Sequence, residues 1–215
     1  MTRDSRFAGV KFVTITRLTR GASWMFRACV ISSETPVSAL LKFALGVDWI
    51  SERFGRIAAT AVLLAALISA GNAFVRYGFD ISSNAWLEIQ WYLFSVTVML
   101  GSPLVLKLNE HVRVDLIYGK LSGKAPVYID LFGLVLFLLP VMLLLAWLSW
   151  PLFVKMYVTG EMSSNAGGLI RWPAMLLLPM GFAWVSLQGI SEIIKRVAYL
   201  QGTFQMDTHY EKPVQ

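Results

Sequence analysis

The sequence has few of the side chains on which most enzyme chemistry depends. Its 215 residues include one cysteine, Cys29, and two histidines, His111 and His209. A single thiol excludes an internal disulfide, a CxxC redox pair and a thiolate zinc cluster. The sequence also contains no HExxH, no GxSxG and no phosphate-binding glycine loop. We therefore expect no catalytic residues, no bound cofactor and no metal site.

Charge is scarce as well. Only 15% of the residues are charged and 56% are hydrophobic, whereas roughly a quarter of the residues in a soluble domain are charged. The mean hydropathy is +0.61. The net charge of +6 could indicate a nucleic-acid partner, but the basic residues flank long apolar runs instead of forming one basic face. We predict an integral membrane protein that contacts phospholipid headgroups and no nucleic acid.

Four stretches contain no Asp, Glu, Lys or Arg: residues 57–75, 89–106, 131–154 and 172–191. Each matches the ~20 residues that cross a hydrocarbon core of about 30 Å. The sequence therefore predicts an all-α integral membrane protein with a four-helix membrane domain over residues 56–200. The helices are expected at about 56–76, 86–107, 128–151 and 172–195, with Pro140 and Pro179 kinking the last two.

The basic residues predict the orientation of these helices. The first and third loops hold only Arg76, Lys155 and Arg171 of the 19 Lys and Arg residues. The other sixteen lie in the N-terminal segment, the second loop and the C-terminal end, so the positive-inside rule places both termini in the cytoplasm. Five tryptophans at the predicted outer helix ends suit the membrane interface: Trp86, Trp91, Trp147, Trp150 and Trp172.

The regions outside the membrane domain differ in pattern. Residues 1–33 are basic and lack periodicity, so we expect a poorly ordered extension. Residues 34–55 have apolar positions at near-helical spacing with charged residues between them, which predicts an amphipathic helix in the inner interface. The apolar positions are Leu40, Leu41, Ala44, Val47 and Phe54, and the charged ones are Lys42, Asp48, Glu52 and Arg53. Residues 201–215 are expected to form a cytoplasmic tail.

The second loop concentrates polar side chains that could contact one another. On a helix, His111 would lie four residues from Asp115, and Glu110 three residues from Arg113. One interpretation makes His111 a metal ligand or a proton relay. The favoured one is a charge-paired segment that docks against another helix or chain, because no second ligand set has metal-binding spacing.

Polar residues within the helices or at their ends have two interpretations. Glu88 opens the second helix and could be a functional carboxylate, but an interfacial ion pair with Arg76 is favoured. Asn72, Gln90 and Gln188 are expected to form hydrogen bonds between helices or to a partner. Asp130 and Glu192 are interpreted as residues at the membrane boundary.

The third loop, residues 160–173, is the most unusual stretch. Gly167 and Gly168 offer exposed backbone amides that could cradle an anion. The favoured alternative is a tight outer turn that leads into the fourth helix, with Pro173 in its first turn.

Several short motifs together resemble the small permease subunit, the DctQ-like family, of tripartite ATP-independent periplasmic (TRAP) transporters. The motifs are residues 76–79 (RYGF), 86–94 (WLEIQWYLF), 111–115 (HVRVD), 172–173 (WP) and 178–181 (LPMG). The resemblance covers residues 45–200. The extension before residue 38 and the stretch 165–168 depart from the common pattern of the family.

This resemblance implies partners and a location. It implies a bacterial inner-membrane scaffold for a large permease subunit, which carries the substrate and sodium sites. It also implies a periplasmic binding protein that delivers an organic anion, often a carboxylate. Carried over by motif, the partner or lipid interface would comprise Arg76, Glu88, Gln90, Trp91, His111, Arg113, Asp115, Trp172 and Pro173. A periplasmic docking loop would comprise Ser164, Asn165, Gly167 and Gly168.

Two other functions remain open from the residues alone. A membrane enzyme or redox protein would need ligands that the two histidines, both outside the uncharged stretches, do not supply together. An oligomeric channel or exporter would need more polar residues within the membrane.

Overall fold

The computed structural model describes residues 36–80, 83–109 and 124–204. Within these ranges the chain forms four long helices: α1 (Pro36–Phe79), α2 (Asn84–Leu108), α3 (Ala125–Thr159) and α4 (Trp172–Leu200). All four are long and apolar enough to cross a membrane. The only extended pairing among the described residues is an isolated bridge between Met162 and Ile170. The prediction of an all-α protein with four spans is confirmed.

Helix α1 differs from the expectation. The sequence predicts an interfacial helix up to residue 55 followed by a separate first span, but the structure has one continuous helix of 44 residues. No proline follows Pro36 in this helix, so nothing removes a backbone hydrogen bond at the expected boundary. Whether its first part lies in the membrane interface stays a prediction.

Helix α3 contains a short π-helical segment, Leu134–Leu138. Pro140 follows almost directly, and its ring removes one backbone donor and crowds the preceding turn. A wider helical turn at this point relieves that crowding, because π-bulges occur where the regular hydrogen-bond ladder is interrupted. Pro179 lies inside α4 without a break in the helix.

Helix α4 is the centre of the bundle and packs against α1, α2 and α3. In its most apolar window 39% of the residues are buried, compared with 6% for α3. Leu106 of α2, Leu134 of α3 and Val185 of α4 form a buried apolar cluster. Most of α3, and the half of α1 that leads to Phe79, expose large apolar side chains. These surfaces suit lipid or another helical chain.

Candidate functional site

Polar side chains are concentrated at the two ends of the bundle. The loop end carries residues 160–171, which connect α3 to α4, and the opposite end carries a group of buried charges that we call the network end. The four uncharged stretches of the sequence run between these two ends.

At the loop end, Glu88 is enclosed by the loop. It lies in the second turn of α2 and its residue is only 3% exposed. One carboxylate oxygen accepts a hydrogen bond from the backbone N–H of Leu169 at 2.6 Å, and the other accepts one from the Asn165 side-chain amide at 2.9 Å. The anion therefore has a donor for each oxygen, which is what a buried carboxylate needs.

The loop folds back on itself and so presents these donors together. The backbone N–H of Ser163 donates to the carbonyl of Leu169, and that of Gly168 donates to the carbonyl of Asn165. Gly167 adopts the left-handed conformation with φ of 70°, which glycine tolerates best. A Cβ at Gly168 would lie 2.9 Å from a Glu88 oxygen, so this position has room only for glycine.

Two neighbours of Glu88 on α2 also bind the loop. Asn84 donates from its side-chain amide to the carbonyl of Ala166 at 3.0 Å, and the Tyr92 hydroxyl donates to the carbonyl of Ile170 at 2.6 Å. Residues 84, 88 and 92 are spaced by four, which places them on one face of a helix. We call these three residues the α2 clasp.

The clasp contradicts the predicted Glu88–Arg76 pair and shows that both interpretations of the third loop hold. Glu88 does not pair with Arg76: its oxygens bind loop donors, and Arg76 is exposed near the end of α1. The loop cation, Arg171, is paired with Glu161 at 2.8 Å. The loop is both a tight turn and an anion cradle, and the anion that it holds is the Glu88 carboxylate.

The other predicted site residues have varied positions. Arg76, Trp91, Ser164, Asn165 and Gly167 are exposed at the loop end. Gln90, Gly168, Trp172 and Pro173 are half-buried, and the side-chain nitrogen of Gln90 is buried without a partner among the described residues. His111, Arg113 and Asp115 lie outside the described residues.

At the network end, Lys195 of α4 lies between two carboxylates. Its ammonium group is 2.9 Å from Asp48 of α1 and also contacts Glu192 one turn back on α4. Arg196 contacts Glu192 as well and lies 3.2 Å from Asp130 of α3. The network thus joins three helices through paired charges, with Asp48, Glu192, Lys195 and Arg196 each less than 9% exposed.

Neutral side chains complete this network. The Gln188 amide donates to Asp48 at 2.8 Å and accepts from the Ser51 hydroxyl at 2.6 Å. The Ser191 hydroxyl donates to Asp48 at 3.0 Å, and the Trp184 indole donates to Ser51 at 3.1 Å. The prediction that Gln188 forms hydrogen bonds between helices is confirmed.

The network was missed by the sequence reasoning. Asp48 was expected on the polar face of an interfacial helix, but it is 4% exposed and faces α4. The signal was present in α4, where residues 188, 191, 192, 195 and 196 are polar and repeat with helical periodicity. A polar stripe of this kind on an apolar helix indicates a face that packs against other polar groups.

A second ion pair joins α1 to α2 at the same end, where Glu52 contacts Lys107. Within the described ranges, no group of three or more His, Cys, Asp or Glu side chains is placed to hold a metal ion. The described polar groups of both ends mainly bind one another. Together with the four apolar helices, each long enough to cross a membrane, these features indicate a multi-pass helical membrane protein.

The comparisons with known proteins identify the family. A protein-family model described as "Tripartite ATP-independent periplasmic transporters, DctQ component" matches residues 64–198, which is more than half of the chain. The chain belongs to this family and is an inner-membrane component of a TRAP transporter. Neither the search of curated proteins nor that of solved structures found a match.

The clasp predicts the behaviour of a Glu88→Ala variant. Removing the carboxylate leaves the Leu169 N–H and the Asn165 amide without their acceptor. We expect hydrogen exchange in residues 163–170 to accelerate by about tenfold or more, since charged acceptors form the stronger hydrogen bonds. Mass spectrometry of exchanged peptides would measure this, with Glu161→Gln as the control, because Glu161 belongs to an exposed pair. Equal protection in Glu88→Ala and the native chain would contradict the clasp.

The network predicts a large loss of stability in a Lys195→Met variant. That change leaves Asp48 and Glu192 buried without their shared cation. Breaking a buried pair from one side costs roughly 3–5 kcal/mol, whereas an exposed pair contributes about 0–1 kcal/mol. Unfolding in a denaturing detergent would measure the difference from Glu161→Gln. A Lys195→Met loss as small as that of the control would show that the network does not stabilise the fold.

Proposed function

We propose that this chain is a non-catalytic scaffold for the large permease subunit of a TRAP transporter. TRAP systems combine a DctQ component with a large permease and a periplasmic binding protein. In the proposed complex the large subunit carries the substrate and the coupling ion, expected to be sodium, and needs no cofactor from this chain. The proposed cargo, by family resemblance, is an organic anion of the carboxylate class that the binding protein delivers.

One observation carries this proposal: the buried charged side chains that the structure describes at both ends are engaged within the chain. The Glu88 oxygens bind loop donors, and the Lys195 ammonium binds two carboxylates. A solute would have to replace these bonds, and a charge left unpaired in a buried site is costly. The described part of the chain is therefore better suited to hold a partner than to bind cargo.

Exposed apolar surface supports the scaffold role. Leu63 and Leu67 of α1 are each 60% exposed, and Phe74, two turns beyond Leu67, is 72% exposed. Only 11% of the residues in the most apolar window of α1 are buried within the described structure. A helical face of this kind is available to a second membrane subunit or to lipid.

The loop end supports docking of the binding protein. The clasp fixes the loop on α2, while Ser164, Asn165 and Gly167 remain exposed above it. A fixed loop loses little conformational entropy on binding, which favours association. In this proposal Arg76 and Trp91 contact a partner directly, and Glu88 acts through the loop that it holds. Residues 111–115 remain a proposed contact for lipid or for the large subunit.

The orientation gives a direct test. We propose that the network end and both termini face the cytoplasm, because most basic residues lie on that side. In a Cys29→Ser background, a cysteine at Ser164 should react with a membrane-impermeant thiol reagent in intact cells. A cysteine at Thr203, also exposed but at the other end, should react only after permeabilisation. The reverse pattern would overturn the proposed orientation.

The scaffold role predicts that neither membrane subunit works alone. Co-expressed with its large permease, this chain should purify as a stable complex. Liposomes that contain the complex and the binding protein should accumulate an organic anion under an ion gradient. Liposomes with either subunit alone should not. Uptake by this chain in the absence of the large subunit would contradict the proposal.

A further inference from the structure

One face of α1 carries exposed cations that the network leaves out. Lys42, Arg53 and Arg56 are exposed, and they share this face with Trp49, which is 57% exposed. The spacing of these four residues, seven, four and three, keeps them on one side of a helix. We call them the α1 stripe.

Contacts between helices fix the depth of the stripe. The uncharged stretches end at the network end next to Arg56, Lys107, Asp130 and Glu192. The network connects α1 with α3 and α4 at this level, and Glu52 connects α1 with Lys107 of α2. Arg53 and Arg56 belong to the same two turns of α1 as Glu52. They therefore lie where the hydrocarbon core gives way to lipid headgroups.

The two sides of α1 differ in charge at this depth. The acids Asp48 and Glu52 face the bundle and pair with Lys195 and Lys107. On the stripe, no acidic side chain among the described residues pairs with Lys42, Arg53 or Arg56. Within the described residues the stripe is therefore a positive surface without a paired acid, and Arg53 and Arg56 form its part at the depth of the headgroups.

The stripe also has the shape of an interfacial site. The Arg53 guanidinium stacks over the Trp49 ring, with its central carbon 4.7 Å from the ring centre. Stacking holds the guanidinium while its N–H groups stay free, and a planar guanidinium binds phosphate oxygens in pairs. On the hydrocarbon side of Arg56, Leu63 and Leu67 lie on the same face of α1, each 60% exposed, and offer apolar surface that acyl chains can cover.

We propose that the α1 stripe binds the headgroup of an anionic phospholipid. Arg53 and Arg56 contact the phosphate, Trp49 lies beside the glycerol backbone, and Lys42 adds longer-range attraction. Charge complementarity at a fixed depth selects this occupant, since the phosphate of an anionic lipid is not offset by a positive charge in the same headgroup. The site does not depend on which protein partners the chain has.

The experiment uses the full chain in nanodiscs made from equal parts of phosphatidylglycerol and phosphatidylcholine. After gentle detergent release, native mass spectrometry counts the lipids that stay bound. We expect the native chain to retain phosphatidylglycerol in preference to phosphatidylcholine. In the Arg53→Gln/Arg56→Gln variant that preference should fall by about 30-fold, because each of the two lost cations contributes about fivefold to binding an anionic surface.

Three further variants test whether retention depends on the position of the charge, on the guanidinium group or on the tryptophan. Lys155→Gln removes an exposed cation at the loop end and should retain phosphatidylglycerol like the native chain. Arg53→Lys/Arg56→Lys keeps the charge without the planar guanidinium and should fall between the native chain and the glutamine variant. Trp49→Phe keeps both arginines and should weaken retention only several-fold. Thermal melting checks that each variant is folded.

Three results would overturn the site. The first is a native chain that shows no preference for phosphatidylglycerol, and the second is a glutamine variant that retains this lipid like Lys155→Gln. The third is a glutamine variant that retains phosphatidylglycerol but no longer purifies with the large permease, which would make the stripe a protein interface. Because the lipid count uses this chain alone, it can succeed or fail independently of the scaffold role.

Discussion

The position of Lys195 between Asp48 and Glu192 is the interaction on which the rest of the structure depends. An ammonium group buried among apolar helices must be paired, and here one of its partners is on its own helix and the other is on α1. This arrangement fixes the position of α1 along the axis of α4 and the face of α1 that contacts α4. Arg196 extends the same restraint to α3 through Asp130. The exposed faces of α1, including the stripe, follow from that fixed rotation.

At the loop end a single buried charge, the Glu88 carboxylate, is likewise satisfied by the chain's own polar groups. Glu88 has no cation as a hydrogen-bond partner in the clasp, and its oxygens are satisfied by a backbone N–H and a side-chain amide. Hydrogen-bond donors can hold a carboxylate in place of an opposite charge when they converge on it. The two ends thus stabilise opposite regions of the bundle with the chain's own polar groups.

The sequence predicted the positions of the helices more accurately than the faces that they turn inward. Absence of charge located the four spans, because a charged residue in hydrocarbon is costly whatever its neighbours are. The pairing of Asp48 with Lys195 and of Glu88 with the loop depends on helix rotation and on contacts distant in sequence, which composition does not encode. The assumed Glu88–Arg76 pair failed for this reason. The repeat of polar residues along α4, and the spacing of Asn84, Glu88 and Tyr92, were visible signals that indicate these faces.

The uninterrupted length of α1 has a consequence for the surrounding bilayer. Its 44 residues make a rod of about 66 Å, whereas a bilayer with its headgroups measures about 45 Å. The rod must slope steeply or project beyond the lipid surface. If it slopes, its inclination depends on membrane thickness, so thinner and thicker bilayers would favour different tilts of α1. A change in bilayer thickness would then move any subunit that packs against α1.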